Sequence, residues 1–286
     1  MSSSSSESNK RSINSGTQKQ KQKQGKKAVD LKGPCTSGIS PILLQFDELY
    51  GEKEGCDDAQ QLVASAEIDP NNGDHRPYFR AVWPRLLPFQ REGVAFAVLK
   101  EGRCAIADEM GLGKTVQAIA SMAYFQTDWP LLIVCPASVR GAWSVELEKW
   151  IPMLPTRGIA VVRGRADIEA FRPGAKIIIM TYSLFTHGSA AAEAAKKLSP
   201  PCVVLDESHY IKQPKSQRTM LISTIAKASR RLILLSGTPA LARPCELHPQ
   251  VSALRPDLFK SYSAFTARFC DAKRSKSRRT SFCKPS

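Results

Sequence analysis

No two cysteines in this sequence stand close together. The eight, Cys35, Cys56, Cys104, Cys135, Cys202, Cys245, Cys270 and Cys283, are scattered along 286 residues. No spacing among them fits a zinc site, and they do not form the dense framework of a disulfide-stapled domain. Cys104, Cys135 and Cys202 lie within or beside apolar runs, where a reduced, buried thiol is the ordinary outcome. A reducing compartment is implied. Long apolar runs are missing as well: the longest fall far short of the roughly 20 residues that cross a bilayer. The N-terminus lacks the apolar segment of a secretory signal. Membrane and secreted classes are therefore not expected.

What the chain has is basic charge and a core. Hydrophobic residues make up 42%, enough for a packed domain. The net charge of +15 is unevenly spread. Residues 1–32 hold eight Lys/Arg against two acids, and residues 268–286 hold seven against one. The 235 residues between them carry only +3. Basic tails attract polyanions through counterion release; they also serve as plain solvated tails, and composition leaves both readings open. The run Lys19-Gln20-Lys21-Gln22-Lys23-Gln24-Gly25-Lys26-Lys27 sits in a Ser/Gln/Lys segment that buries too little apolar surface to order itself. It fits a nuclear import signal or a flexible tail equally well. Residues 42–50 are acidic and apolar and suit a short docking helix, and Pro70–Asp74 reads as a turn-rich linker.

From about Arg85 the texture becomes alternating strand and helix. Apolar runs predict strands at Arg103–Ala107, Leu131–Cys135, Ile159–Val162, Lys176–Thr181, Cys202–Leu205 and Arg231–Leu235. Helical patterns lie between them at Thr115–Phe125, Ser138–Trp150, Ala190–Lys197 and Thr219–Lys227. Buried strands separated by helices predict an α/β fold with a parallel sheet flanked by helices. Ligands in such folds bind at the carboxyl ends of the strands.

The chemistry-bearing residues follow strands directly. After Arg103–Ala107 comes Asp108-Glu109-Met110-Gly111-Leu112-Gly113-Lys114-Thr115, then a helix, which is the P-loop context. Backbone N–H groups of this whole segment are expected to cradle the phosphates of ATP. Lys114 reaches the terminal phosphates, and the Thr115 hydroxyl takes a Mg ion. Asp108 stands where the strict pattern has a glycine. After Cys202–Leu205 come Asp206, expected to help hold Mg, and Glu207, expected to orient and deprotonate the attacking water. His209 follows on the same turn. After Arg231–Leu235 come Ser236 and Thr238, small hydroxyl residues suited to sensing the γ-phosphate or bonding His209.

In combination these motifs resemble the Swi/Snf-type ATPases of helicase superfamily two, over about Arg85 to Arg274. The Asp-Glu-Ser-His box at 206–209 and the Ser-Gly-Thr-Pro element at 236–239 argue against the DEAD-box RNA helicases. The resemblance implies a RecA-like lobe one, with Leu86–Gln90 as the adenine-reading element and Gln90 as the adenine ligand. It makes Cys135–Val139 and Met180–Leu184 elements facing the DNA backbone, and so makes Ser138, Thr181, Tyr182 and Lys212 DNA contacts; core packing is the competing reading for Tyr182. Trp129–Val134, Arg243-Pro244 with Glu246, and Arg268–Arg274 resemble the annealing-helicase branch, which rewinds DNA at replication forks. Expected partners are ATP with Mg, and double-stranded or forked DNA. Replication or repair proteins, reached through the N-terminal region, and a nuclear location belong to the same expectation.

The expected organisation is a disordered basic tail over 1–40, a linker over 41–84, an ATP-binding lobe over 85–270 and a basic tail over 271–286. Members of the family continue into a second RecA-like lobe whose arginines complete the ATP site. Here Arg274 leads into Ser-Lys-Ser-Arg-Arg-Thr-Ser-Phe-Cys-Lys-Pro-Ser, so a truncated motor or part of a longer one is expected. The alternative is a non-enzymatic ATP- and DNA-binding module that competes with a full-length relative.

Overall fold

A computed structural model describes residues 76–164, 167–238 and 243–270. The readings made for the two tails, for residues 42–50 and for Pro70–Asp74 lie outside the described residues.

Six strands form one parallel sheet: β1 (Arg103–Ile106), β2 (Leu131–Cys135), β3 (Ile159–Val161), β4 (Ile177–Thr181), β5 (Cys202–Asp206) and β6 (Arg231–Leu235). Their spatial order is β1-β6-β5-β2-β4-β3, and every neighbouring pair runs parallel. All six coincide with predicted strands to within one residue at either end. The central strands are apolar on both faces because both faces are covered. Leu131, Ile133 and Cys135 join one core, while Leu132 and Val134 join the other. Ile177 and Ile179 alternate with Ile178 and Met180 in the same way. Each such side chain fully removed from water contributes about 1.5–3 kcal/mol before entropy is counted.

One face is covered by α1 (Pro77–Val82), α2 (Pro88–Leu99), α3 (Lys114–Tyr124) and α4 (Arg140–Trp150). The other carries α5 (Ala190–Leu198) and α6 (Gln217–Ala228). A third, smaller cluster is built by α7 (His248–Leu254), α8 (Tyr262–Phe269) and the turn before them. Sequence dictates several of the starts. Ser189, Ser216 and Ser261 cap α5, α6 and α8 by accepting from Ala192 N, Thr219 N and Ala264 N. Proline opens α1, α2 and α7.

The linker boundary needs correction. Residues up to 84 were expected to lie outside the lobe, yet Tyr78, Phe79, Val82 and Trp83 are buried in its core. Tyr78 stacks on Trp129 at 5.2 Å, and Phe79 meets Tyr124 edge-on at 5.2 Å. Six residues give too short a period to be read as an amphipathic helix, and only the aromatic content hinted at burial.

Candidate nucleotide and DNA site

The sheet order decides the site. β6 lies between β1 and β5, and its last residue, Leu235, pairs with Ile106 on one side and Asp206 on the other. The loops that follow these three strands therefore leave the sheet side by side at one level. On the other side of β5, Cys135 at the end of β2 pairs with Thr181 at the end of β4. The two elements expected to face DNA thus emerge together, next to the Asp206 loop.

Gly113 and Gly111 have φ of +78° and +88°, left-handed conformations that glycine adopts without steric cost. They turn the chain so that α3 starts at Lys114 with its N–H groups directed at the loop. Lys114 Nζ donates to the carbonyls of Asp108 (2.7 Å) and Glu109 (2.9 Å). Its ammonium is thereby held over the loop. Gly237 lies against it: a Cβ there would stand 3.7 Å from Lys114 Nζ and 3.4 Å from Met110.

Asp108, in the position of the missing glycine, pins the loop. Its Oδ2 accepts from Gln117 Nε2 on α3 at 2.7 Å. Gly93 on α2 makes room for Gln117, since a Cβ there would lie 2.1 Å from Gln117 Oε1. Sequence reasoning missed both residues. The available signal was a glycine inside a helix, which costs about 1 kcal/mol relative to alanine and so asks for a packing reason.

Gln90 is 7% exposed, and both ends of its amide are engaged. Oε1 accepts from Leu87 N at 3.1 Å, which caps α2, and Nε2 donates to the Leu112 carbonyl at 3.2 Å, which braces the P-loop. One N–H and one lone pair are left for a base. The residue expected to read adenine is therefore first a structural brace.

Asp206 ends β5. Its Oδ2 accepts from the indole N–H of Trp143 at 2.8 Å, and its carbonyl accepts from the Tyr182 hydroxyl at 2.7 Å. Burial pushes its carboxyl above the usual carboxylate range, and the indole hydrogen bond opposes that shift. Glu207 follows at φ +50°, a left-handed conformation unusual for a residue with a side chain. Its Oε2 is buried and 3.2 Å from His209 Nδ1, without hydrogen-bond geometry. The same Nδ1 is 3.2 Å from Ser236 Oγ, which also accepts from Thr238 N at 3.2 Å. The structure thus brings Glu207, His209 and Ser236 into one chain, whereas the Thr238 side chain is exposed.

The four residues expected at DNA divide. Ser138 is exposed and Lys212 half-exposed. Thr181 and Tyr182 are 3% and 2% exposed, so as they sit neither side chain meets a phosphate. Tyr182 stacks on Tyr210 at 4.8 Å and packs in the core, and burial raises its hydroxyl well above the ordinary tyrosine range. Thr181 Oγ1 bonds instead to Ser183 Oγ at 2.8 Å, and Ser183 is the exposed hydroxyl of that turn. Strand alternation holds no signal for this exchange, because the strand ends at Thr181 and Tyr182–Leu184 form a 3-10 turn.

Comparison with known proteins agrees with this geometry. The model of the SNF2-related domain matches residues 89–282. The chain belongs to the SNF2-related domain family. It is 44% identical over 189 residues to DNA annealing helicase and endonuclease ZRANB3 of Mus musculus, covering 66% of this chain and 18% of that protein. It is 35% identical over 233 residues to SWI/SNF-related matrix-associated actin-dependent regulator of chromatin subfamily A-like protein 1 of Xenopus tropicalis, covering 82% of this chain and 23% of that protein. Among solved structures, the Sulfolobus solfataricus SWI2/SNF2 ATPase core in complex with dsDNA is similar with a TM-score of 0.53 at 28% identity, covering 65% of this chain and 39% of that one. The SNF2-related chain thus spans about a fifth of the length of its curated relatives, and the fold is the α/β, RecA-like ATPase lobe that its motifs implied.

Proposed function

We propose that this chain is the ATP-binding lobe of a DNA translocase that acts on double-stranded or forked DNA in the nucleus, in repair, fork remodelling or chromatin remodelling. The observation that carries the reading is the adjacency of three strand ends, β1, β6 and β5, which brings Lys114, Ser236 and Asp206–Glu207 together. The donor set fits a magnesium nucleotide. Left-handed glycines and a helix N-terminus suit phosphate oxygens, while a hydroxyl at Thr115 and a carboxylate at Asp206 suit a hard cation. Magnesium, when bound, neutralises charge between the terminal phosphates. Lys114 binds those phosphates after giving up its hold on the Asp108 and Glu109 carbonyls. Glu207 takes the proton of the attacking water, with His209, itself bonded to Ser236, 3.2 Å from that carboxylate. Ser138, Ser183 and Lys212 offer donors to a phosphate backbone, and none of them is expected to read bases.

The test is calorimetry with Mg-ATP and with duplex DNA. Lys114→Ala should remain folded, lose most of its ATP affinity and keep its DNA affinity. Equal ATP binding by wild type and variant would overturn the assignment. DNA binding that depends on sequence and not on salt would overturn the backbone-contact reading.

A further inference from the structure

Two hydrogen bonds at Asp206 come from elements that the nucleotide chemistry does not require. Trp143 lies on α4, which follows the turn carrying Ser138; Tyr182 lies in the turn after β4, beside Ser183. Trp143 is 2% exposed and its indole N–H ends on Asp206 Oδ2; Tyr182 is equally buried and its hydroxyl ends on Asp206 O. The Tyr182 carbonyl in turn accepts from Arg218 Nε of α6 at 3.1 Å, and its ring stacks on Tyr210, in the turn that leads to Lys212. Each expected DNA-facing turn is therefore tied by a rigid aromatic side chain to the residue placed to hold the metal. The Tyr182 hydrogen bond ends on the carbonyl of the peptide between Asp206 and Glu207, next to the left-handed φ of Glu207. An aromatic ring has few rotamers and a buried one has no room to yield, so displacement at one end is felt at the other.

We propose that Trp143 and Tyr182 are positioning residues that couple DNA binding to the geometry of Asp206 and Glu207, so that duplex DNA and Mg-nucleotide bind cooperatively through them. This rests on the ATP- and DNA-binding reading above. Energetic coupling is reciprocal and spans about 5- to 150-fold in affinity where it is found. One buried hydrogen bond accounts for about a fivefold factor.

The experiment measures the affinity of the 286-residue chain for a non-hydrolysable ATP analogue with magnesium, with and without saturating mixed-sequence duplex. Wild type should bind the analogue at least about fivefold more tightly with DNA present. In Tyr182→Phe, which keeps the ring and its stack, that factor should fall toward one while each ligand still binds alone. Trp143→Phe should do the same, and Tyr182→Phe carries the test if that variant does not fold. Tyr78→Phe is the control: it removes the acceptor of the Lys176 Nζ hydrogen bond at 2.9 Å, a tyrosine contact of similar kind on α1, and should retain the wild-type factor. A purely structural role would make Tyr78→Phe and Tyr182→Phe behave alike, and that result overturns the proposal. So does a wild type that binds both ligands without coupling, or a Tyr182→Phe chain that couples as wild type does. A wild type that binds neither ligand overturns the functional reading itself.

Discussion

Glu207 shows what one residue is asked to do. It is held at φ +50° at the end of a buried strand, a conformation that costs about 1–2 kcal/mol for a residue with a Cβ. That turn sets the buried carboxylate oxygen 3.2 Å from His209 Nδ1, beside Ser236. Glu207→Gln keeps the shape and removes the proposed base. It should bind Mg-ATP as wild type does and, joined to a second lobe from a relative, hydrolyse it about 10²–10⁴-fold more slowly. Single-turnover phosphate release measures this, and an unchanged rate would remove Glu207 from the role of base. Gly113 and Gly111 differ in an equally local way. Alanine at either position faces a left-handed φ, and a stiffer unfolded chain returns about 0.4–1 kcal/mol of the strain. At Gly113 the new Cβ also meets Gln90 Nε2 at 2.5 Å and displaces the brace on Leu112, whereas at Gly111 it meets nothing within 4 Å. Gly113→Ala should lower the urea midpoint clearly and Gly111→Ala only slightly. Equal shifts would mean that Gln90 does not brace the loop.

At the scale of elements, sequence periodicity revealed neither α1 and α2 nor the last two helices, α7 and α8. Those last two are short, and their docking depends on contacts with distant segments. Arg103 at the start of β1 donates to the carbonyls of Ser229, Ala253 and Leu254, which ties the end of α7 to the sheet. His248 opens α7, buried edge-on against Tyr262 and Phe265 of α8, both at 5.2 Å. Burial and the nearby Lys227 charge hold the His248 imidazole below its ordinary value of 6.5. The unfolded chain therefore takes up a proton that the native chain refuses, and stability falls as pH drops below about 6.5 until the native value is passed. Urea melts at about pH 7.5 and 5.5 should show a larger loss for wild type than for His248→Gln. Parallel losses would show that the imidazole is not kept neutral by its surroundings. The cysteines at 104, 135 and 202 behave as their apolar context implied, as buried thiols outside any disulfide. Burial pushes these thiols up to about 12, which makes them poor nucleophiles.

For the molecule as a whole, the proposed nucleotide site takes its donors from the ends of β1, β5 and β6, all in one lobe. An arginine supplied from the opposite side is worth about 10³–10⁵ in rate where it has been added or removed. Arg274, Arg278 and Arg279 are the arginines after α8, and they belong to residues outside those described. The isolated 286-residue chain should therefore bind ATP yet hydrolyse it slowly, with little stimulation by forked DNA. A version extended by a relative's second lobe should be faster by orders of magnitude. Equal rates and equal stimulation in a phosphate-release assay would show that the chain completes its own site.

The sequence by itself determined the strands and the chemistry attached to each. Apolar runs closed by Gly-x-Gly-Lys-Thr, Asp-Glu-Ser-His and Ser-Gly-Thr place chemical groups directly after buried strands, and both signals lie within a few neighbouring residues. It also determined that Cys104, Cys135 and Cys202 are buried, because their neighbours are apolar. Tertiary structure alone decided that β6 enters between β1 and β5, that Gln90 braces the P-loop from 22 residues away, and that Trp143 reaches Asp206 across 63. It also turned Tyr182 from an expected DNA contact into a buried support. Local chain chemistry fixes which residues can form a strand or a loop. Which loops meet, and which aromatic ring finds which carboxylate, depends on the packing of layers whose partners are distant in sequence and leave no pattern within either segment.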